Sequence, residues 1–192
     1  MPTKVTEIDL EKRARSIENT IIVKVWYQQL EDGVKSYSNN GFHSIDTAVY
    51  LKTENNRTFK IFWADEFGLH HGFGISIREI RVMDKEEGVF VEVTHDKDWQ
   101  GVIGKKITSA QVHWQDVIEN MRDRLVPMLG MGYITRNDYP QTIELKFDTG
   151  EQVFVSAIKI TGENKCIPFT NHVTTFFSKQ AIDEYYKPLR KW

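Results

Sequence analysis

Alternating apolar and polar residues run along much of this chain and predict β-strands. The first strong strand covers residues 21–27, which are mostly β-branched or aromatic. A hairpin follows, with strands at residues 47–53 and 58–64, because apolar side chains alternate with polar ones in both. Asn55 and Asn56 supply its turn, since asparagine tolerates a positive φ. The early part of the chain therefore predicts antiparallel β-structure.

The rest of the chain predicts more strands and three short helices. The first helix covers residues 6–19 and begins at Thr6, whose hydroxyl can cap it. A second helix is predicted at residues 116–125, where apolar residues cluster at helical spacing, and a third at residues 178–186, capped by Ser178. Further strands are predicted at residues 75–83, 89–94, 107–114, 142–147, 152–160 and 173–177. Strands without regular βαβ alternation indicate an α+β fold that is mainly antiparallel β.

The strand pattern starts again after a polar, glycine-containing segment at residues 95–106. Trp26 and Trp114 each stand near the end of an opening strand, and residues 49–52 match residues 143–146 in their apolar and polar order. The two hairpins stay in phase, whereas a slip of one residue would have exchanged their faces. We interpret this as an internal repeat, a pseudo-duplication of one β-unit.

The repeat predicts the organisation of the chain. The first β-unit, with the N-terminal helix, covers residues 1–95, and the second, with the C-terminal helix, covers residues 96–192. Two repeats are too few for a solenoid, so the units are expected to pack as a pair of small sheets. Whether they form one compact domain or two is left open by the sequence.

Charge and composition narrow the classes of function. The chain has 25 basic and 27 acidic residues, so no strongly basic face is expected and nucleic acid is not a predicted partner. No stretch approaches the roughly 18 apolar residues that span a bilayer, and the first residues contain no apolar run typical of a signal peptide. Cys166 is the only cysteine, which fits a reducing compartment. We expect a cytoplasmic protein that does not contact a membrane.

The second unit carries a resemblance to other proteins. Its opening strand ends in Trp114, Tyr139 and Pro140 lead into a strand, and Gly150 lies in the turn before the next strand. This arrangement resembles a group of uncharacterised bacterial proteins over residues 101–178. Some small bacterial proteins of this kind are suspected immunity or partner-binding proteins, so the resemblance implies an interaction role. It implies no catalytic residues, because the shared positions are turn and core positions.

One short segment combines several metal-ligating side chains. Asp65, Glu66, His70 and His71 lie within seven residues, and nearby glycines would let the backbone bend around an ion. Neighbouring strand residues point to opposite faces, so both histidines could bind one metal only from a loop. The segment is therefore a candidate metal site, although a surface hairpin bearing solvated histidines is the interpretation that the sequence favours.

Aromatic residues form the other candidate site. Trp and Tyr anchor many protein interfaces, and the chain is rich in both. The sequence favours the alternative, in which the rings fill the cores of the two sheets. The candidate interaction residues are Trp26, Trp63, Phe67, Phe73 and Trp99.

These observations predict a non-enzymatic binding or protein-interaction protein with no cofactor, immunity-like at its most specific. No nucleophile motif or dinucleotide fingerprint is present, so no catalytic residue is predicted. His43 and His172 are isolated in the sequence and receive no role. Two alternatives stay open: a metal-binding protein or metal-dependent enzyme centred on residues 65–71, and a structural protein that self-associates through sheet edges.

Overall fold

A computed structural model describes residues 5–30, 38–39, 41–67, 73–83, 88–120, 134–163, 165–168 and 170–185. For residues 39, 116–120 and 134–138 only the backbone is considered below. Over these ranges the fold is mostly antiparallel β-structure with short helices, which confirms the predicted fold class. No helix within them is both long and apolar enough to cross a membrane.

The described strands form a five-stranded sheet, a six-stranded sheet and a separate hairpin. The order in the first sheet is β6-β5-β4-β1-β7, and the order in the second is β2-β3-β13-β10-β9-β8. The elements are α1 (Glu7–Arg15), β1 (Ile22–Gln29), β2 (Ser38–Asn39), β3 (Phe42–Ile45), β4 (Ala48–Thr53), β5 (Thr58–Ala64), β6 (Gly74–Ile80), β7 (Val89–Glu92), α2 (Lys97–Gln100), β8 (Ile107–Asn120), β9 (Ile134–Phe147), β10 (Gln152–Ser156), β11 (Ile158–Gly162), β12 (Lys165–Pro168), β13 (Val173–Phe176) and α3 (Lys179–Tyr185).

The main hydrophobic core contains residues from both sheets. Val49 and Leu51 on β4 join Ile143 and Leu145 on β9 in one cluster, and all four are fully buried. Burial of each such side chain is worth about 1.5–3 kcal/mol. The alternation that predicted the hairpins therefore places one face of each sheet in a shared core.

Helix α1 covers one side of this core. The Thr6 hydroxyl accepts a hydrogen bond from the Asp9 amide, and the Asp9 carboxylate accepts one from the Thr6 amide, which together form a capping box. The helix and the turn after it bury Leu10, Ala14 and Ile17. Because α1 contacts both β6 and β8, it bridges an edge strand of each sheet.

Helix α3 packs on the other face of the second sheet. Ala181 and Ile182 of the helix join Phe42, Phe154 and Phe176 in a smaller buried cluster. The Ser178 hydroxyl accepts a hydrogen bond from the Ala181 amide at the start of the helix. The predicted C-terminal helix and its cap are therefore present.

The helix predicted at residues 116–125 was wrong where the structure describes it. Residues 116–120 continue β8 and pair with residues 134–138 of β9. The helical spacing of apolar residues there is a local signal, and long-range pairing with β9 overrides it. Residues 121–125 lie outside the described part of the chain.

The two halves of the chain interleave. Strand β3 belongs to the N-terminal half, yet it pairs with β13 in the second sheet. Trp99 and Val102 lie in the segment predicted as a boundary, and both are buried in the main core. The two sheets therefore do not divide at residue 95. Strands β1-β4-β5 and β8-β9-β10 follow the same antiparallel order, and the duplication of one unit stays a prediction.

Candidate functional site

The predicted metal-binding segment lies only partly within the described residues. Asp65 is exposed and Glu66 is half-buried, whereas His70 and His71 lie outside the described ranges. A metal site formed by all four residues therefore stays a prediction. The contacts of Glu66 show how available its carboxylate is to a metal ion.

The carboxylate of Glu66 already has three partners. Its Oε1 lies 2.8 Å from Arg13 Nη1 and accepts a 2.6 Å hydrogen bond from the Ser76 hydroxyl, while Oε2 accepts from Arg78. Burial raises the pKa of Glu66, but Ser76 and the two arginines outweigh that effect and hold the pKa below its ordinary value. This arrangement ties α1 to β6, and a metal ion would have to compete with two guanidinium groups.

The predicted aromatic residues do not share one surface. Phe67 and Trp99 are 2% and 0% exposed, so they are core residues and not interface residues in this structure. Trp63 is half-buried, packs against the main core and stacks on Phe73, with ring centroids 5.9 Å apart. Trp26 lies on the face of the first sheet that points away from the main core. The Lys24 ammonium is 5.8 Å from its ring centroid.

A buried polar cluster joins the two sheets, and the sequence did not indicate it. His43 on β3 is 0% exposed, and its Nδ1 lies 2.7 Å from the Tyr27 hydroxyl on β1. Its Nε2 lies 3.1 Å from Asp98 Oδ2 and 3.5 Å from Asp96 Oδ1. Trp99 Nε1 donates to the Tyr27 hydroxyl at 2.5 Å. These residues are up to 72 positions apart, so no local motif could have revealed the cluster.

The group of His43, Asp96 and Asp98 could also hold a metal ion, because one ligand atom from each lies within 4.8 Å of the others. The hydrogen bonds favour a different role. The Asp98 carboxylate can only accept, so the 3.1 Å contact places the ring proton on Nε2, and in the neutral imidazole Nδ1 then accepts from the Tyr27 hydroxyl. A metal would need a lone pair on Nε2, where this arrangement places a proton. We therefore regard the cluster as a tie between the sheets.

A small cleft of about 180 Å³ lies beside α3 on the outer face of the second sheet. Gln141 lines it as the extra residue of a β-bulge, and its Nε2 donates to the Ala157 carbonyl at 2.7 Å. The Thr142 and Ser156 hydroxyls are 2.7 Å apart. Only Gln141 Oε1 lacks a partner among the described atoms of these three side chains, and it has almost no accessible surface. The cleft is also lined by Trp114, whose buried Nε1 has no partner among the described residues, and by the Lys179–Asp183 ion pair.

The edge of β8 presents main-chain hydrogen-bonding groups. The strand has 14 residues and pairs on one side with β9, and no other named strand of the described residues lies beside it. In an antiparallel strand the main-chain groups of alternate residues point to opposite sides. The Ala110 amide donates to Glu18 Oε1 at 2.9 Å, so Ala110 faces away from β9, and Val112 and Trp114 do the same.

This edge is occupied at its start and open further along. The Asn19 amide donates to the Ile107 carbonyl and the Ile107 amide donates to the Thr20 carbonyl, each at 2.8 Å. Further along, the Glu18 carboxylate accepts the hydrogen bond from the Ala110 amide. Among the described residues, none bonds to the outward main-chain groups of Val112 and Trp114. The residues after α1 thus act like a short added strand that ends where the free edge begins.

A groove of about 420 Å³ follows this edge. One wall is formed by Glu11, Arg15 and Glu18, which recur at helical spacing along α1 and the turn after it. The other wall is the stretch of β8 from Ser109 to Val112. Arg15 and Glu11 form an ion pair of 3.5 Å between largely solvated side chains. The wall formed by α1 therefore presents two carboxylates and one guanidinium group.

Comparisons of this chain with protein-family models, curated proteins and solved structures found no significant match. The resemblance of residues 101–178 to uncharacterised bacterial proteins therefore stays a prediction.

Proposed function

We propose that this protein is a non-enzymatic protein-binding protein that adds an extended segment of its partner to the edge of β8. The observation that carries the proposal is the pair Val112 and Trp114, whose outward main-chain groups have no partner among the described residues of a 14-residue edge strand. Such an edge is a template for strand pairing with another chain. Many peptide-binding domains use this mode of recognition.

The energetics favour an extended peptide as the occupant. Each main-chain hydrogen bond contributes about 0.5–1.5 kcal/mol net, and an added strand makes several. The groove beside the edge gives room for alternate side chains of that strand. The protein already pairs Asn19 and Thr20 with Ile107 in this way, so the geometry of strand addition is present within the chain.

The groove favours a protein over a nucleic acid. Glu11 and Glu18 line it with Arg15, and the chain as a whole carries a net charge of −2. Phosphate groups would meet more repulsion than attraction at such a wall.

A second candidate is self-association through the same edge, and the length of β8 is the observation that favours it. Two copies pairing through β8 would bring together two grooves with the same excess of carboxylates. Like charges placed close together destabilise an interface. We therefore place a different partner ahead of a second copy.

The proposal is tested with two substitutions at one outward-facing position. Alternation from Ala110 directs the amide of Asp116 away from β9. Asp116→Pro removes that amide, and proline is tolerated in an edge strand where the amide faces outward. Asp116→Ala removes the same side chain but keeps the amide, so it is the matched control.

Both variants and the wild-type chain are used to capture binding proteins from an extract of the source cells, and amide hydrogen exchange is measured on each complex. We expect a partner that protects residues 110–120 from exchange, binds the alanine variant and is lost with the proline variant. Equal capture by both variants, or no protection of β8, would overturn the proposal. A purified wild-type dimer that dissociates in the proline variant would assign the edge to a second copy.

A further inference from the structure

Glu18 occupies the position that the main chain of a bound segment would need. Its Oε1 accepts the hydrogen bond from the Ala110 amide at 2.9 Å, as a carbonyl oxygen of an added strand would. Ala110 is followed along the edge by Val112, whose outward groups have no partner among the described residues. A bound strand that extends over Ala110 must therefore displace the Glu18 carboxylate.

The free-energy cost of displacing the Glu18 carboxylate depends on whether it finds another hydrogen-bond donor or cation. Glu18 is half-buried, and within the described residues its carboxylate forms no ion pair with a lysine or arginine. Arg15, which lines the same wall of the groove, already pairs with Glu11. A displaced carboxylate that finds no donor loses its charge-assisted hydrogen bond, and such bonds are about twice as strong as neutral ones.

We propose, on the basis of the strand addition proposed above, that the partner segment is basic on the side that faces α1. A lysine or arginine at that position pairs with Glu18 and draws its carboxylate away from the Ala110 amide. The freed amide then donates to a carbonyl of the partner, so the ion pair and the extra main-chain hydrogen bond form together. Glu11 adds to the preference because it lies on the same wall of the groove.

The alternation of a strand limits where this basic residue can stand. Successive side chains of an added strand point to opposite faces, so only every second residue faces α1. The other face lies beside half-buried Ser109 and exposed Gln111 and His113 on β8. The charge preference is therefore expected at alternate positions of the segment and not along its whole length.

The test uses a display library of random heptapeptides selected on the full-length protein. We expect the selected peptides to carry lysine or arginine at one register of alternate positions. A synthetic copy of the best peptide should bind about three- to tenfold more tightly than its lysine-to-glutamine analogue. This ratio should fall as salt is added, because the pair lies in a solvated groove.

Glu18→Gln is the variant that isolates the charge. Glutamine keeps an acceptor oxygen for the Ala110 amide and the same shape, so the fold is expected to persist, and a thermal unfolding curve checks this. In Glu18→Gln the two peptides should bind within about twofold of each other. An undiminished preference for the basic peptide in this variant would overturn the inference.

The outcomes separate this inference from the function on which it rests. Peptides that bind wild type and Asp116→Ala but not Asp116→Pro, and that show no charge preference, would overturn the basic segment and leave strand addition standing. Peptides that bind Asp116→Pro as well as wild type, or a library that yields no binder, would count against strand addition itself.

Discussion

The hydroxyl of Tyr27 lies 2.7 Å from Nδ1 of His43, and this contact joins the two sheets inside the protein. Tyr27 is on β1 of the first sheet and His43 is on β3 of the second, and both are fully buried. The same hydroxyl accepts from Trp99 Nε1. Removing it would leave two buried polar groups without this partner, and each such group costs about 1–3 kcal/mol.

We therefore expect Tyr27→Phe to lower the free energy of unfolding by about 2–6 kcal/mol, since both groups are affected. Tyr50→Phe is the matched control, because Tyr50 is equally buried but its hydroxyl donates to Gln28 Oε1, at 2.8 Å, within the first sheet. The control should cost less. Urea denaturation of both variants measures the difference, and equal losses would show that the Tyr27 contact is not special.

The pH dependence of stability should report on His43. Burial lowers the pKa of its imidazole below the ordinary value, and this outweighs the opposite effect of Asp96 and Asp98. The unfolded chain then binds a proton more readily than the folded protein. Stability from this group is complete above the ordinary histidine pKa of about 6.5 and is lost as the pH falls below it.

The measurement is urea denaturation from pH 8 down to pH 5. Burial also lowers the pKa of His172, with Lys159 acting in the same direction, so both histidines contribute the same sign. His43→Gln and His172→Gln should each flatten the pH dependence of stability, whatever each substitution does to stability at pH 8. An unchanged slope in His43→Gln would contradict the assignment.

Substitution by valine should change the stability of the protein differently at two neighbouring threonines of β13. Thr174 Oγ1 donates to the Ile158 carbonyl at 2.6 Å, whereas Thr175 Oγ1 has no partner among the described residues. Both side chains are 0% exposed. Thr174→Val should lower stability by about 1–3 kcal/mol, because it leaves a buried carbonyl without its donor.

Thr175→Val should be neutral or stabilising, because it replaces an unpaired buried hydroxyl by a methyl group of similar size. Thermal unfolding of both variants measures these changes in stability. A loss in Thr175→Val as large as that in Thr174→Val would show that the Thr175 hydroxyl has a partner.

Gly74 allows β6 to approach β9. A Cβ atom at Gly74 would lie 2.6 Å from both Cγ and the carbonyl oxygen of Pro140, and the carbonyl belongs to the backbone of a paired strand. Gly74→Ala should therefore lower stability by about 1–3 kcal/mol. Gly162→Ala on β11 is the control, since no atom of the described residues, apart from its chain neighbours, lies within 4 Å of its Cβ position. The control should change stability by less than about 0.5 kcal/mol, and similar losses in both variants would contradict the close packing of β6 on β9.

Local signals in the sequence were sufficient for much of the secondary structure. The capping box at Thr6, the alternation along β4 and β5 and the turn at Asn56, which has a φ of 63°, all involve residues a few positions apart. Hydrogen bonds and side-chain periodicity at that range depend little on the rest of the chain. The hairpins and α1 could therefore be predicted from the sequence.

The candidate site could not be predicted, because it depends on the sheet order. Whether an edge of β8 is free is decided by which strands find partners, and β3 joins β13 from 128 residues away by the pairing of Ile45 with Val173. Residues 116–120 likewise became strand because β9 lies beside them, despite their helical spacing. Such pairings are set by the burial of apolar faces across the whole chain.

The sequence by itself determined a β-rich fold, its main hairpins and the capped N-terminal helix, because each follows from interactions between near neighbours. The tertiary structure alone decided that His43 meets Asp98, 55 residues away, and that Glu18 stands at the edge of β8 beside Ala110. These contacts follow from how the two sheets share one core, and the free energy of that burial is a property of the whole fold.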